Sequence, residues 1–365
     1  MTTGALDVRL LTGFPGANPS DPGRVTPMGD NTFTVYPFVE SGGGAAYHFR
    51  CDMLLDCGPS WARVELKLDW QEPHYMPLRE FVYHCPEEKG EWIAHPGTME
   101  GETVRSFPLE LGPGRHFVCA QPRYGLENLQ RLEGLCQDGH VVRVETWKGD
   151  LGRNPVKSFE LSRGFDSGRD LILVMGRAHP YETAGSFCLD GVVRAAVTDE
   201  EYREELLSKF DWVFVPVASP DGVVEGCCRL GAARGGLDPC RSWEPESPLG
   251  TLVRHLLRNR RIRGYLDIHS WMHGDVDGVG YLNALHMRRF TRLMDVSYSG
   301  CKPWKHRLRG RVIPYRMGGT MAVVRKRSGA VCAGLEYPWK GRGVECMERL
   351  GRCTMRAFAE TVARA

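Results

Sequence analysis

The sequence lacks a net charge of either sign, a long apolar run and any Cys-x-x-Cys pair, and each absence removes a class of function. Lys and Arg total 47 against 45 Asp and Glu, a formal net charge of +2 over 365 residues. So small an excess builds no field that would gather nucleic acid or an acidic membrane, and neither is expected as a partner. No stretch approaches the ~18 consecutive apolar residues that cross a bilayer. Met1 to Leu11 carries Asp7 and has no apolar centre, so a secretory leader is not expected and the reading is a soluble, cytoplasmic protein. The 13 cysteines are odd in number, in a long chain read as having no leader, which favours reduced thiols over a disulfide framework. Adjacent Cys227 and Cys228 do not supply the spacing of a structural zinc knuckle.

What is present divides the chain into two grammars. At ~150 residues per domain the length allows roughly two domains, and a 42% hydrophobic content is enough for two cores. From Asn31 to Glu160 short alternating runs are broken by Gly, Pro and Asp: Thr32 to Val39, Tyr47 to Leu54, Ala62 to Asp69 and His116 to Gln121. Period-two alternation at this spacing predicts an all-β sandwich over residues 1–160, with one helical interruption from Tyr124 to Cys136, where Leu126, Leu129, Leu132 and Leu135 recur at helical spacing. After Gly168 the runs Asp170 to Met175 and Trp212 to Val217 are continuously apolar, as in strands buried on both faces. Further strands are expected at Gly264 to His269 and Ala330 to Leu335. Helices are expected at Thr183 to Ala196, after a cap at Thr198, from Ser247-Pro248 through Arg260, and at the end, where Met347, Leu350, Thr354, Phe358 and Val362 form one stripe. Strands alternating with helices predict an α/β domain over residues 161–365.

The chemistry concentrates where predicted strands end. His179 and Glu182 stand three residues apart just beyond Leu171 to Met175, on what is expected to be a first helical turn, so imidazole and carboxylate could converge on one cation. The strand Tyr265 to Ser270 delivers His269 in the same way. Two histidines and one glutamate leave zinc a fourth position for water, the open coordination of a catalytic site. The strand Ala330 to Glu336 ends in a carboxylate, Glu336, suited to take a proton from such a water, with a salt bridge to Arg325 or Lys340 as its plain structural alternative.

The ordered series His179-Pro-Tyr-Glu182-Thr183, Val217-Ala-Ser-Pro220-Asp221-Gly222, Arg229, Asp238-Pro-Cys-Arg241-Ser-Trp243, Asp267-Ile-His269 and Gly334-Leu335-Glu336 resembles that of the M14 metallocarboxypeptidases, with the cytosolic carboxypeptidase branch as the nearest match. The resemblance covers nearly the whole chain, because that branch carries a β-sandwich ahead of a catalytic domain built on a mixed, mainly parallel sheet flanked by helices. It implies one Zn2+ per chain held by His179, Glu182 and His269, and Glu336 as general base and then proton donor to the leaving amine. It further implies Arg229 on the oxyanion, Arg241 clamping the substrate's terminal carboxylate, and Asp238 orienting the ring of His179. Cys240 stands in the substrate-binding turn where the family has Asn, and Tyr181 where it has Gly. The implied substrate is a peptide or small amide with a C-terminal carboxylate, and the implied activity is hydrolysis of its terminal peptide or amide bond. Two other functions remain open: a zinc-dependent amidase or deacylase acting on a small N-acyl amino acid or biosynthetic intermediate, and a binding module without turnover. The oligomeric state is not written in the sequence. His95-Pro96-Gly97-Thr98-Met99-Glu100 imitates the ligand motif but falls in the β-rich half and is read as a loop. His273, Asp275 and Asp277, among Gly274, Gly278 and Gly280, are read as a polar loop rather than a second metal site.

Overall fold

A computed structural model describes residues 8–38, 40–42, 45–47, 50–71, 80–87, 91–137, 141–164, 168–229, 238–270, 277–297, 306–308, 319–340 and 342–365, without the side chains of 41, 42, 45–47, 295–297 and 306–308. The chain divides into two compact units, residues 1–123 with 222–229, and residues 124–221 with 230–365.

The first unit is built mainly of strands, with a short 3-10 turn at Pro22–Arg24: β1 (Arg9–Leu11), β2 (Val25–Gly29), β3 (Thr32–Val35), β4 (Glu40–Gly42), β5 (Ala45–Tyr47), β6 (Asp52–Asp56), β7 (Ala62–Asp69), β8 (Phe81–Pro86), β9 (Ile93–Pro96), β10 (Thr98–Met99), β11 (Val104–Leu111) and β12 (Arg115–Cys119). Two five-stranded sheets, ordered β1-β6-β12-β8-β9 and β10-β11-β7-β3-β2, contribute to one shared core. The alternation in β7 explains why: Val64, Leu66 and Leu68 are buried while Arg63, Glu65 and Lys67 are not. Phe107 and Leu109 of β11 and Met53 and Leu55 of β6 fill the same interior. The segment Gly222–Arg229 joins this unit through Arg50, a buried guanidinium that donates to the carbonyls of Gly222, Val223 and Cys227 at 3.2 Å. Of the expected strands, Ala62 to Asp69 is found intact. Thr32 to Val39 shortens to β3, with Val39 outside the described residues, and Tyr47 to Leu54 is interrupted between β5 and β6. His95 is not in a loop: it sits on β9, its Nε2 2.5 Å from His84 Nδ1.

The second unit begins with α1 (Leu126–Gln137), β13 (Val142–Trp147), β14 (Val156–Leu161) and β15 (Leu171–Gly176). It continues with α2 (Ala184–Thr198), α3 (Glu200–Leu207), β16 (Asp211–Val215), α4 (Pro220–Val224, whose end passes to the first unit) and α5 (Pro248–Asn259). It closes with β17 (Ile262–His269), β18 (Asp277–Gly280), α6 (Ala284–Ser297), β19 (His306–Leu308), α7 (Thr320–Ser328), β20 (Val331–Glu336) and α8 (Val344–Ala363). Its sheet is mixed, ordered β13-β14-β16-β15-β17-β20-β18-β19. The boundary therefore falls at 123/124 and not at 160. β14 pairs antiparallel with β16, Phe159 opposite Phe214, so β13 and β14 form the edge of this sheet. Alternation announces an antiparallel strand but not the sheet it joins.

The central strands β16, β15, β17 and β20 run parallel, and every residue of β15 and β16 is buried, as their unbroken apolar runs predict. The stripe of α8 is buried throughout, with Met347, Leu350, Thr354 and Phe358 at 0% exposure. Ser247 caps α5 by accepting from the Gly250 N–H at 3.0 Å. The cap of α3 is Asp199, which accepts from Tyr202 N at 3.0 Å; Thr198 ends α2 and donates back to Arg194 O. Asp277 is not in a polar loop either. It lies buried on β18, bound bidentately by Arg342 at 2.5 and 2.6 Å, while His273 and Asp275 fall outside the described residues. The described cysteines are thiols.

Candidate metal centre

The parallel strands align their C-terminal ends. Gly176 of β15 pairs with Ile268 of β17, and His269 pairs with Glu336 of β20. In such a sheet these ends are where ligands bind, because the helices that follow leave backbone N–H groups and side chains converging there.

His179 and Glu182 lie on a turn before α2, not on its first turn as the spacing suggests; the Glu182 N–H donates to His179 O at 3.1 Å and the helix starts at Ala184. Arg177 shapes that turn. It is 1% exposed with a φ of +60°, and its guanidinium donates to Pro180 O at 2.6 Å and to Tyr124 O. A left-handed arginine is strained and needs such fixing. Gly185 then brings α2 against β17, where a Cβ would stand 2.4 Å from Ile268 O. This close approach seats Glu182 beside His269.

The carboxylate of Glu182 lies between the two imidazoles, Oε1 2.9 Å from His179 Nδ1 and Oε2 2.6 Å from His269 Nδ1. The far edges meet aspartates: His179 Nε2 is 3.2 Å from Asp238 Oδ1, and His269 Nε2 is 3.3 Å from Asp267 Oδ2. The rings lie 4.9 Å apart, and Tyr181 stacks near-parallel to His179 at 6.5 Å. Cys240 sits in the turn after Asp238, its N–H donating to Asp238 Oδ1 at 2.9 Å and its Sγ 3.7 Å from His269 Nε2. Arg241 extends into solvent with Nε 3.6 Å from Asp238 Oδ2. Glu336 Oε2 is closed off from water and has no hydrogen-bond partner. Arg229 belongs to the other unit, where its backbone N–H donates to Glu40 Oε2 at 2.5 Å.

Sequence reasoning overlooked Asp267 as a partner of His269. The signal was available, since residues two apart on a strand share a face. It also overlooked Tyr281, which has a φ of +69° and lays its ring where a Cβ on Gly334 would come within 2.8 Å. No pattern in the sequence marks that tyrosine.

Charge in this cluster is tightly linked. Burial pushes the Glu182 carboxyl up, but His179 and His269 outweigh it and hold it well below the usual carboxylate range. Burial pushes both imidazoles down, and the neighbouring carboxylates outweigh it, Glu182 and Asp238 for His179, and Asp267 and Glu182 for His269. Glu336 goes the other way. Burial first, then the neighbouring Glu182, push its carboxyl up to about 8, against the pull of the two histidines.

These residues fit a divalent metal. Two imidazole nitrogens and a carboxylate face one another within hydrogen-bond reach, each ring is backed by an aspartate, and two buried carboxylate oxygens, Glu336 Oε2 and Asp267 Oδ1, have no hydrogen-bond partner. A cation would satisfy the excess of anionic donors, and aspartate support behind ligating histidines is the usual arrangement of zinc sites. Residues 140–230 match the family model for zinc carboxypeptidases. Two solved structures share the fold over nearly the full length: a putative carboxypeptidase from Burkholderia mallei (TM-score 0.80, 15% identity, 100% of this chain and 99% of that one) and a Pseudomonas aeruginosa metallo-carboxypeptidase in complex with (2-guanidinoethylmercapto)succinic acid (TM-score 0.76, 18% identity, 97% and 99%). The fold is that of a zinc carboxypeptidase with a β-sandwich unit. Among relatives, cytosolic carboxypeptidase 2 of Xenopus tropicalis is 28% identical over 212 residues, 49% of this chain and 21% of that protein. Its counterpart in Danio rerio is 26% identical over 174 residues, 40% and 23%. Over residues 140–230 the chain is thus similar to the zinc carboxypeptidases, and its matched part spans under a quarter of the length of those cytosolic carboxypeptidases.

Proposed function

We propose that the chain is a zinc-dependent metallocarboxypeptidase that hydrolyses a C-terminal peptide or amide bond. The observation that carries this reading is the Glu182 carboxylate set between the Nδ1 atoms of His179 and His269, with Glu336 one strand away and opposite His269. His179, Glu182 and His269 would hold one zinc ion per chain, with Asp238 and Asp267 fixing the two rings. Bound there, zinc supplies Lewis acidity and an acidified water.

The chain's own residues do the rest. Glu336 accepts a proton at its buried Oε2 and passes it to the departing amine. Its carboxyl, held neutral up to about 8 in the cation-free cluster, is the group whose ionisation a nearby positive charge favours. Arg241, exposed beside the site, clasps the terminal carboxylate of the substrate in a two-pronged bond. A peptide reaching the centre thus meets a cation for its terminal charge and a base for the attacking water.

The amidase reading retains one specific support: the residue beside Arg241 is Cys240, and a thiol is a weak donor to a carboxylate. One assay separates the two. Peptides with acidic, basic or aromatic C-termini are compared with their C-terminal amides, on wild type and on Glu336→Gln. A carboxypeptidase loses most of its rate on amidation, and Glu336→Gln loses roughly 10² to 10⁴-fold while keeping its metal. Equal rates on acids and amides would select the amidase, and a Glu336→Gln variant as active as wild type would remove the proposed mechanism.

A further inference from the structure

The two imidazoles have a second usable edge. Glu182 occupies their Nδ1 side, whereas Cys240 Sγ lies 3.7 Å from His269 Nε2. Ligand atoms of His179, Cys240 and His269 all lie within 4.8 Å of one another. A nitrogen and a sulfur bound to one tetrahedral ion stand about 3.5 Å apart, given bonds of ~2.0 and ~2.3 Å, so the separation at His269 is close to that of a ligand pair. The turn that carries the thiol is fixed: Cys240 N–H donates to Asp238 Oδ1, the oxygen that also meets His179 Nε2, and a Cβ on Gly319 would stand 2.5 Å from Cys240 C and O. The edge also holds a buried carboxylate with one oxygen that has no hydrogen-bond partner. Asp267 is 3% exposed, its Oδ2 is 3.3 Å from His269 Nε2, and its Oδ1 has no hydrogen-bond partner.

We propose that this edge is a second, sulfur-containing seat for a thiophilic divalent cation, with Cys240 Sγ and the two imidazoles as its donors. It rests on the proposed function for the use of His179 and His269 as ligands, and it reassigns Cys240 from substrate contact to metal contact. One ring cannot offer both edges to one ion, so the oxygen seat at Glu182 and the sulfur seat at Cys240 compete. Soft cations prefer the thiolate, and zinc, which accepts N, O or S, can take either. On binding, the Cys240 S–H bond breaks, the sulfur keeps the electron pair and donates it to the cation, and the proton leaves to solvent; no oxidant is needed. A soft cation in this seat would draw both histidines away from Glu182 and so inhibit hydrolysis.

The probe is Cd2+ alone, added to the metal-free full chain. Wild type is expected to bind one Cd2+ with a thiolate-to-cadmium band in the near ultraviolet. Cys240→Ser should lose that band while still holding one zinc, and Glu182→Gln should keep the band. Iodoacetamide labelling of Cys240 in wild type, read by mass spectrometry, should slow at least tenfold when Cd2+ is present, which tests the seat without relying on a variant's folding. A wild type without the band, a Cys240→Ser variant that keeps it, or labelling indifferent to Cd2+ overturns the proposal. Loss of zinc binding with the cadmium band intact would instead count against the proposed function while supporting the sulfur seat.

Discussion

Each of the two histidines has one ring nitrogen on Glu182 and the other beside an aspartate, so a change at the aspartate should be felt at the metal. Asp267→Asn removes the charge behind His269 and leaves the shape. Loss of such a supporting group typically lowers metal affinity about 10 to 100-fold. Competition for zinc against a chromophoric chelator measures it, and an unchanged affinity would mean that Asp267 does not act through His269. His179, Glu182, His269 and Glu336 were legible in the sequence because strand-end positions with those residue types stand out against apolar runs. Asp238 followed from the family order of motifs. Asp267 is half legible, two residues from His269 on one face. Cys240 read as a departure from a pattern, and only the distances reveal its proximity to both rings. Arg229 shows the opposite limit, because chain order did not foretell that its segment folds with the first unit.

At the scale of elements, the site depends on close backbone approach. α2, which follows Glu182, also packs against α8, where a Cβ on Gly351 would stand 2.3 Å from Cys188 O. Backbone cannot yield as a side-chain tip does, so Gly351→Ala should destabilise the chain by about 1 to 3 kcal/mol or more. Gly134 in α1 is the contrast: a Cβ there meets nothing within 4 Å, and Gly134→Ala should stabilise by about 0.5 to 1 kcal/mol through helix propensity. Urea titration of both variants checks the pair, and shifts of the same sign would contradict the packing argument. The elements themselves were mostly legible. The apolar runs of β15 and β16 and the stripe of α8 carry period and burial in their composition. Which sheet β13 and β14 join was not legible, because antiparallel strands alternate alike in either. The cap of α3 slipped by one residue because Thr198 and Asp199 both suit the position.

Over the whole molecule, the near-neutral surface predicts little pH sensitivity from net charge, which leaves buried groups to set it. His84 is 6% exposed in the sandwich, and its ring is pushed down to about 4 by burial and by His95 and His116. The folded ring stays neutral where the unfolded ring, titrating near 6.5, has taken a proton. Its stabilising share is therefore full above 6.5 and lost as pH falls towards 4, at most about 3 kcal/mol at about 1.4 kcal/mol per pH unit. Thermal unfolding between pH 7 and pH 4 should show this loss in the sandwich transition, and His84→Gln should flatten it; an equal slope in the variant would assign the loss elsewhere. The claim on which the whole account turns is that one ion joins His179, Glu182 and His269. Metal content per chain, determined by inductively coupled plasma mass spectrometry on wild type, His179→Ala, His269→Ala and Glu182→Ala combined with Cys240→Ser, which leaves zinc no sulfur seat to move to, tests it most directly. The account predicts one zinc per wild-type chain and its loss in all three variants. A zinc-free wild type, or variants that keep a full complement, would contradict it.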